Sequence, residues 1–229
     1  DVFLIAQFVD GNTVRINPAP TRVRVIHLSA DAPNVDVFAN DTPPAAVTNL
    51  AYKEGTDYLE LPAGTYTFNV AATGSDPSQS VLDIGPSLFL GGFYYTAAAI
   101  NLLNAPIEGL LIEDNNSDPG AGYIRVRAIH AATGATFVSV DVYEVSDLQD
   151  PVLLYEDLTF GDVGDNLTLP AGSYTLGLDV TDDMVPELTF ETPAIPEGSI
   201  VNIFANNSGT TVYLIAQFQD GSVAQIDPM

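Results

Sequence analysis

The sequence contains no cysteine and no tryptophan among its 229 residues, and Lys53 is its single lysine. Without cysteine there can be neither a disulfide nor a thiolate metal site. Without tryptophan the best sugar-stacking side chain is missing, although ten tyrosines remain. Positive charge is nearly as scarce. Six Lys and Arg stand against 30 Asp and Glu, for a formal net charge of -24. Such a surface repels nucleic-acid phosphates and anionic lipid headgroups, so neither is an expected partner. It suits high salt or divalent cations, which screen the self-repulsion. The longest apolar run, SLFLGGFYYTAAAINLL (87–103), approaches bilayer length. Its later counterpart, SIVNIFANN (199–207), is short and flanked by polar residues, so the two read as buried strands and no membrane insertion is expected. No Gly-x-Ser-x-Gly elbow, Walker loop, His-Glu-x-x-His helix or dinucleotide fingerprint occurs, and the chain is not expected to be an enzyme.

What is present is repetition. RVRVIH (22–27) returns as RVRAIH (125–130), VDVF (35–38) as VDVY (140–143), and YLELPAGTYTF (58–68) as NLTLPAGSYTL (166–176). The spacing is a little over a hundred residues, the size of one small domain. Within each unit the residues alternate with period two: Tyr66, Phe68 and Val70 against Thr65, Thr67 and Asn69, and Tyr174, Leu176 and Leu178 against Ser173, Thr175 and Gly177. Alternation of this kind marks strands with one buried face, and the LPAG segments supply Pro and Gly for turns between them. Together with 46% hydrophobic residues, this predicts an all-β protein of two tandem antiparallel, Ig-like β-sandwiches, residues 21–117 and 118–229, with a strand arm at 1–20. EDNNSDPGAG (113–122) reads as the joint.

The arm is unusual. FLIAQFVDGNTVRINP (3–18) is a near-copy of YLIAQFQDGSVAQIDP (213–228). It precedes the first RVRVIH as a preceding unit's last strand would. Leu4, Ala6 and Phe8 lie on one side and Phe3, Ile5 and Gln7 on the other, and a strand apolar on both sides calls for burial on both. Left uncovered, it is an association hazard. Three placements are open: an extra strand on the first sandwich, a strand donated to a sheet of another copy, or the tail of the previous repeat in a longer tandem array. Donation from Phe3, Leu4, Ile5, Ala6 and Phe8 to a neighbour, beside the equivalent strand Tyr213, Leu214, Ile215 and Phe218, need not close and would build a filament. That predicts a homopolymer of structural, extracellular subunits. The alternative is a monomeric cell-surface module binding glycans or proteins. The start at Asp1 rather than Met fits a processed, secreted precursor, and four sequons, at Asn40, Asn115, Asn166 and Asn206, are candidate glycosylation sites.

RVRVIHLSADAPNVDVFAN followed by YLELPAGTYTFNV resembles the domain-of-unknown-function family number 4397. The resemblance extends from residue 22 to about 218 as two copies, with Ala30 in place of the family's usual Pro and AATGAT (131–136) in place of its Asp-Ala-Pro stretch. It implies secreted or surface β-sandwich modules and no established activity.

Two further patterns bear on chemistry. His27 and His130, the only histidines, sit at equivalent positions on the apolar face of a strand and read as core or rim histidines; a metal or catalytic role would need Asp31 and Asp36 nearby. Asp114, Asn116 and Asp118 give the opening spacing of a calcium loop, but Pro119 follows where glycine is usual, leaving a partial calcium site or a solvated turn. No other cofactor is expected. Arg22, Arg24, Arg125 and Arg127 are expected to pair with carboxylates on neighbouring strands.

Overall fold

The computed structural model describes residues 4–103, 105–147 and 150–229. Every regular element of more than one turn among them is a strand. The first three are β1 (Leu4–Gln7), β2 (Thr13–Ile16) and β3 (Thr21–His27), followed by β4 (Val35–Ala39), β5 (Thr42–Leu50), β6 (Leu59–Leu61), β7 (Gly64–Ala72), β8 (Leu82–Phe89), β9 (Tyr94–Ile100) and β10 (Glu108–Asp114). The later part holds β11 (Tyr123–His130), β12 (Ser139–Glu144), β13 (Val152–Thr159), β14 (Leu167–Pro170), β15 (Thr175–Asp179), β16 (Leu188–Glu191), β17 (Ile200–Ser208), β18 (Thr211–Phe218) and β19 (Val223–Ile226).

The sequence repeat is a repeat of topology. Sheet order β10-β9-β3-β6 packs over β5-β4-β7-β8, and β18-β17-β11-β14 packs over β13-β12-β15-β16, with β19 as a fifth strand beside β18. Most pairings are antiparallel, but β3 runs parallel to β9, and β11 to β17. Each sandwich closes over its own core, around Val25, Val37, Phe68 and Phe89 in the first and Val126, Val142, Leu176 and Phe190 in the second. The all-β sandwich architecture read from period-two alternation is therefore observed.

A third core lies between the sandwiches. Strand residues that face away from the inner cores, Ile26, Ala98 and Ile112 on one side and Ile129, Phe204 and Ile215 on the other, pack together and are fully or almost fully buried. The β3 and β11 sheets thus have two buried faces, which explains why their strands, such as YYTAAAI and IVNIFANNS, are almost continuously buried. The fold is four sheets deep, with the sheets of β3 and β11 innermost.

The arm folds as a hairpin rather than as a lone strand. β1 pairs antiparallel with β2 in a two-stranded sheet that joins neither sandwich. The first-sandwich placement weighed above is not the observed one. Phe3 lies outside the described residues.

Candidate functional site

The hairpins β1–β2 and β18–β19 are the same object in two environments. Their registers match pair for pair: Leu4↔Ile16 and Gln7↔Thr13 in the first, Leu214↔Ile226 and Gln217↔Val223 in the second. Their turns match bond for bond. Gly11 N–H donates to the Phe8 carbonyl as Gly221 N–H does to Phe218, both at 3.0 Å. Asp10 Oδ1 accepts from Asn12 N–H at 3.0 Å, as Asp220 Oδ1 does from Ser222 N–H at 3.0 Å. Both turns need a left-handed residue, and glycine supplies it at Gly11 (φ +84°) and Gly221 (φ +81°).

The environments could hardly differ more. Leu214 and Ile215 are 2% and 0% exposed, whereas Leu4 and Ile5 are 68% and 64% exposed. Phe8, Val9, Val14 and Ile16 are exposed as well. Burial of a side chain of this size is worth about 1.5–3 kcal/mol, so the first hairpin forgoes several times that amount.

The place that β18–β19 fills defines what such a hairpin needs. β18 pairs with β17 along one edge, Ala205↔Leu214 through Val201↔Phe218. The turn then rests on the loop between β5 and β6 of the first sandwich. Gly55 makes the close approach possible, since a Cβ at that position would lie 2.9 Å from Gln217 Nε2 and 3.0 Å from Val223 Cγ2. Lys53 stands 4.0 Å from the Tyr213 ring centroid and donates to Gln225 Oε1 at 2.8 Å. Tyr213 and Tyr52 also meet through their hydroxyls, and both donate to Asn206 Oδ1. Burial pushes the Tyr213 pKa up to about 12.

A buried polar cluster holds the two sandwiches in register. Asp114 lies at its centre. It pairs with Arg127 through Oδ1 and with Arg24 through Oδ2 at 3.6 Å, and it accepts from Thr96 Oγ1 at 2.6 Å, Tyr58 OH at 2.7 Å and Asn202 Nδ2 at 2.9 Å. Burial, then the Asp114 charge, raise the pKa of Tyr58. The buried arginines find their carboxylate here, while Arg22 pairs with Glu60 at the surface at 2.6 Å. Arg125 bonds instead to the joint, through Asn115 and Ser117.

This arrangement accounts for the calcium-like spacing differently. Asp114 pairs with two guanidinium groups, and Asp118 Oδ1 accepts from Gly120 N–H at 2.8 Å. Elsewhere among the described residues, Asp179, Asp183 and Glu187 bring carboxylate oxygens within 4.8 Å of one another. Asp179 there accepts the backbone N–H groups of Thr181, Asp182 and Met184, which makes it a loop anchor.

The histidines are structural. His27 Nε2 lies 3.1 Å from the Pro33 carbonyl, and His130 Nε2 lies 3.0 Å from the Phe137 carbonyl. Burial lowers the pKa of both. Asp36 and Asp141 instead fix the bulged β4–β5 and β12–β13 pairs. Their carboxylates accept the N–H of Asn49 (2.7 Å) and Asp157 (2.6 Å), both in left-handed backbone at φ +55° and +54°. Burial opposes the Asp36 charge, yet the N–H groups of Gly74 and Asn49 outweigh it and hold that carboxyl below its usual range.

Of the four sequons, those at Asn40, Asn115 and Asn166 are exposed. Asn206 is not a candidate for glycosylation in the folded chain. It is 2% exposed, and its amide donates to the Leu28 and Ala131 carbonyls across the inter-sandwich core. Sequence reasoning missed this interface; the outward-facing isoleucines Ile26 and Ile129, on otherwise basic strand faces, were its signal.

A family model described as "Domain of unknown function (DUF4397)" matches residues 21–143, more than half of the chain. The chain belongs to this family. The DUF4397 match spans the first sandwich and the first two strands of the second and stops after VDVY, so it runs as one match and leaves the rest of the expected second copy, residues 144–218, uncovered. No curated protein matches the chain. Among solved structures, one described as "Alpha-glucan binding by a streptococcal virulence factor" is 12% identical, with 80% of this chain and 92% of that one covered, at a TM-score of 0.24. "The Bacillus anthracis TIE protein" is 11% identical over 99% of this chain and 50% of its own, at 0.25. A leucine-rich repeat protein from Bacteroides thetaiotaomicron is 16% identical over 91% of this chain and 25% of its own, at 0.21. Likeness at this level carries no functional argument.

Proposed function

We propose that this chain is a structural protein of the cell exterior, a unit of a linear array joined through the β1–β2 hairpin. One observation carries the reading: a hairpin whose twin buries almost all of its first strand stands with both faces in water. An apolar element on an acidic, otherwise well-packed protein is best explained by a covering surface on a second copy. The contact uses one end of the chain and a different surface of its neighbour, so it is heterologous and propagates rather than closing. The acidic surface supports the same reading, because it keeps units apart until salt or divalent ions screen them. This role assigns the chain no reaction.

Deleting residues 1–18 tests it. The truncated chain is expected to keep its β circular dichroism and sediment as a monomer, while the full chain forms high-mass species by light scattering and fibres by negative-stain microscopy. A full-length chain that stays monomeric, or a truncated one that still assembles, would overturn the proposal.

A further inference from the structure

The sandwiches face each other as a pseudo-dimer, and the two halves of that relationship are not equally filled. Loop 52–57 of the first sandwich and loop 160–165 of the second are built alike. His27 N–H bonds to the Glu54 carbonyl as His130 N–H bonds to Asp162, both at 3.0 Å. Thr56 N–H bonds to Val25 as Gly164 N–H does to Ala128, at 2.9 and 2.8 Å. The first loop is covered by the β18–β19 turn, with Gly221 against Thr56 and Asp57. Its equivalent has no such cover among the described residues: Asp162, Val163 and Asp165 are exposed.

The strand above that loop is uncovered too. β10 occupies the position of β18, yet it ends its sheet, whereas β18 carries β19 as a fifth strand. At the end of β10 lies an open cleft lined by Tyr94, Glu113, Asp114, Asn116 and Asn166. The Oδ1 atom of Asn116 is buried there without a hydrogen-bond partner.

We infer that the open edge of β10, floored by loop 160–165, is the acceptor for the β1–β2 hairpin of a second copy. This rests on the array reading above and names its missing half. The occupant follows from the internal comparison, since the equivalent position within the chain holds a hairpin of closely similar sequence and of the same register and turn. Displacing β18–β19 from its own place would expose one hairpin for each one buried and gain nothing; filling the β10 edge buries apolar surface without uncovering any. Charge agrees. In the filled position the cation belongs to the loop (Lys53) and the hairpin offers uncharged Gln225. At the open position Gly161 replaces Lys53, the rim carries Glu113, Asp162 and Asp165, and the hairpin brings Arg15. An edge-strand addition of this kind gains main-chain hydrogen bonds along β10 and turn-to-loop contact at residues 8–12.

The chain has no native cysteine, so disulfide trapping reads the contact cleanly. With Asn12→Cys and Asp165→Cys in the full-length chain, mild oxidation is expected to give a ladder of covalent multimers on non-reducing gels. Asn12→Cys with Asp57→Cys is expected to give none, because that loop is already covered. Ser222→Cys with Asp57→Cys serves as the intrachain standard. A second variant, Val163→Glu, is expected to lower assembly about tenfold at unchanged melting temperature. Multimers from the 12–57 pair, no multimers from the 12–165 pair while assembly persists, or normal assembly of Val163→Glu would each overturn this acceptor. None of these results touches the role of the hairpin itself, which stands or falls with deletion of residues 1–18.

Discussion

Arg24 and Arg127 hold equivalent positions in the two sandwiches, and each donates across the interface to the other's last shared strand. Arg24 Nη1 bonds to the Phe218 carbonyl, and Arg127 Nη1 bonds to the Glu113 carbonyl at 3.0 Å. Each also turns its Nε inward to the neighbouring parallel strand, Arg24 to Thr96 Oγ1 and Arg127 to Asn202 Oδ1, both at 2.8 Å. The interface is therefore nearly two-fold in its hydrogen bonds although one chain makes it. The break in symmetry is Asp114, the carboxylate that both arginines share.

That sharing makes Asp114 the costly residue to lose. Its side chain is 2% exposed, and those of the arginines 1% and 6%. Asp114→Ala leaves two buried guanidinium groups without a counter-charge and should destabilise the chain by about 3–5 kcal/mol. Replacing all three residues with apolar ones of similar volume should recover most of the loss. Urea denaturation followed by circular dichroism measures both.

Stability should fall in mild acid. Burial depresses the pKa of His27 and His130 below 6.5 in the folded chain, so both are neutral there. Unfolding then takes up protons once the pH drops below 6.5. The histidine contribution is complete above that value and is lost as the pH falls toward the folded pKa values. The depressed carboxyls of Asp36, Asp162 and Asp220 contribute above 3.8 and are lost only below it. Melting temperatures at about pH 7 and about pH 5 isolate the histidines. A His27→Gln, His130→Gln double variant should flatten the difference.

Gly55→Ala should loosen the contact between the sandwiches. The added methyl meets Gln217, Val223 and the Gly221 carbonyl at 2.9–3.3 Å, so the β18–β19 turn must shift, at a cost of about 1–3 kcal/mol. Hydrogen exchange should quicken at residues 218–223 before it does in β12 or β15. Uniform exchange would argue against a local effect.

The second sandwich holds a small void beside its core. An apolar cavity of about 50 Å³ is lined by Val126, Ala128, Val142, Tyr155 and Leu176. At equivalent places the first sandwich carries Val25 for Ala128 and Phe68 for Leu176. Ala128→Val should raise stability by about 1 kcal/mol, seen as a higher denaturation midpoint.

Much of this architecture is legible from the sequence because sheets advertise their inner faces. Tyr66, Phe68 and Val70 alternate with polar residues, and LPAG marks where the chain turns back. The hairpin is half legible. Asp10-Gly11 signals a turn, but the strand after it, TVRI, is short and contains Arg15, so alternation alone does not announce a partner for β1. The inter-sandwich face is the least legible. Arg24 and Arg127 alternate with valine and alanine as solvent-facing residues do, and only the tertiary meeting with Asp114 makes their burial affordable. For the same reason the sequence does not reveal that Asn206, within a sequon, is a buried interface amide.

The pseudo-dimer also sets a girth. Because the broad faces of the inner sheets are spent on one another, the body is four sheets deep, or roughly 30 Å from the first to the last. A thread made of such units could lengthen only by way of strand margins and protruding ribbons. Its calibre along that direction is written into the single chain before any neighbour arrives.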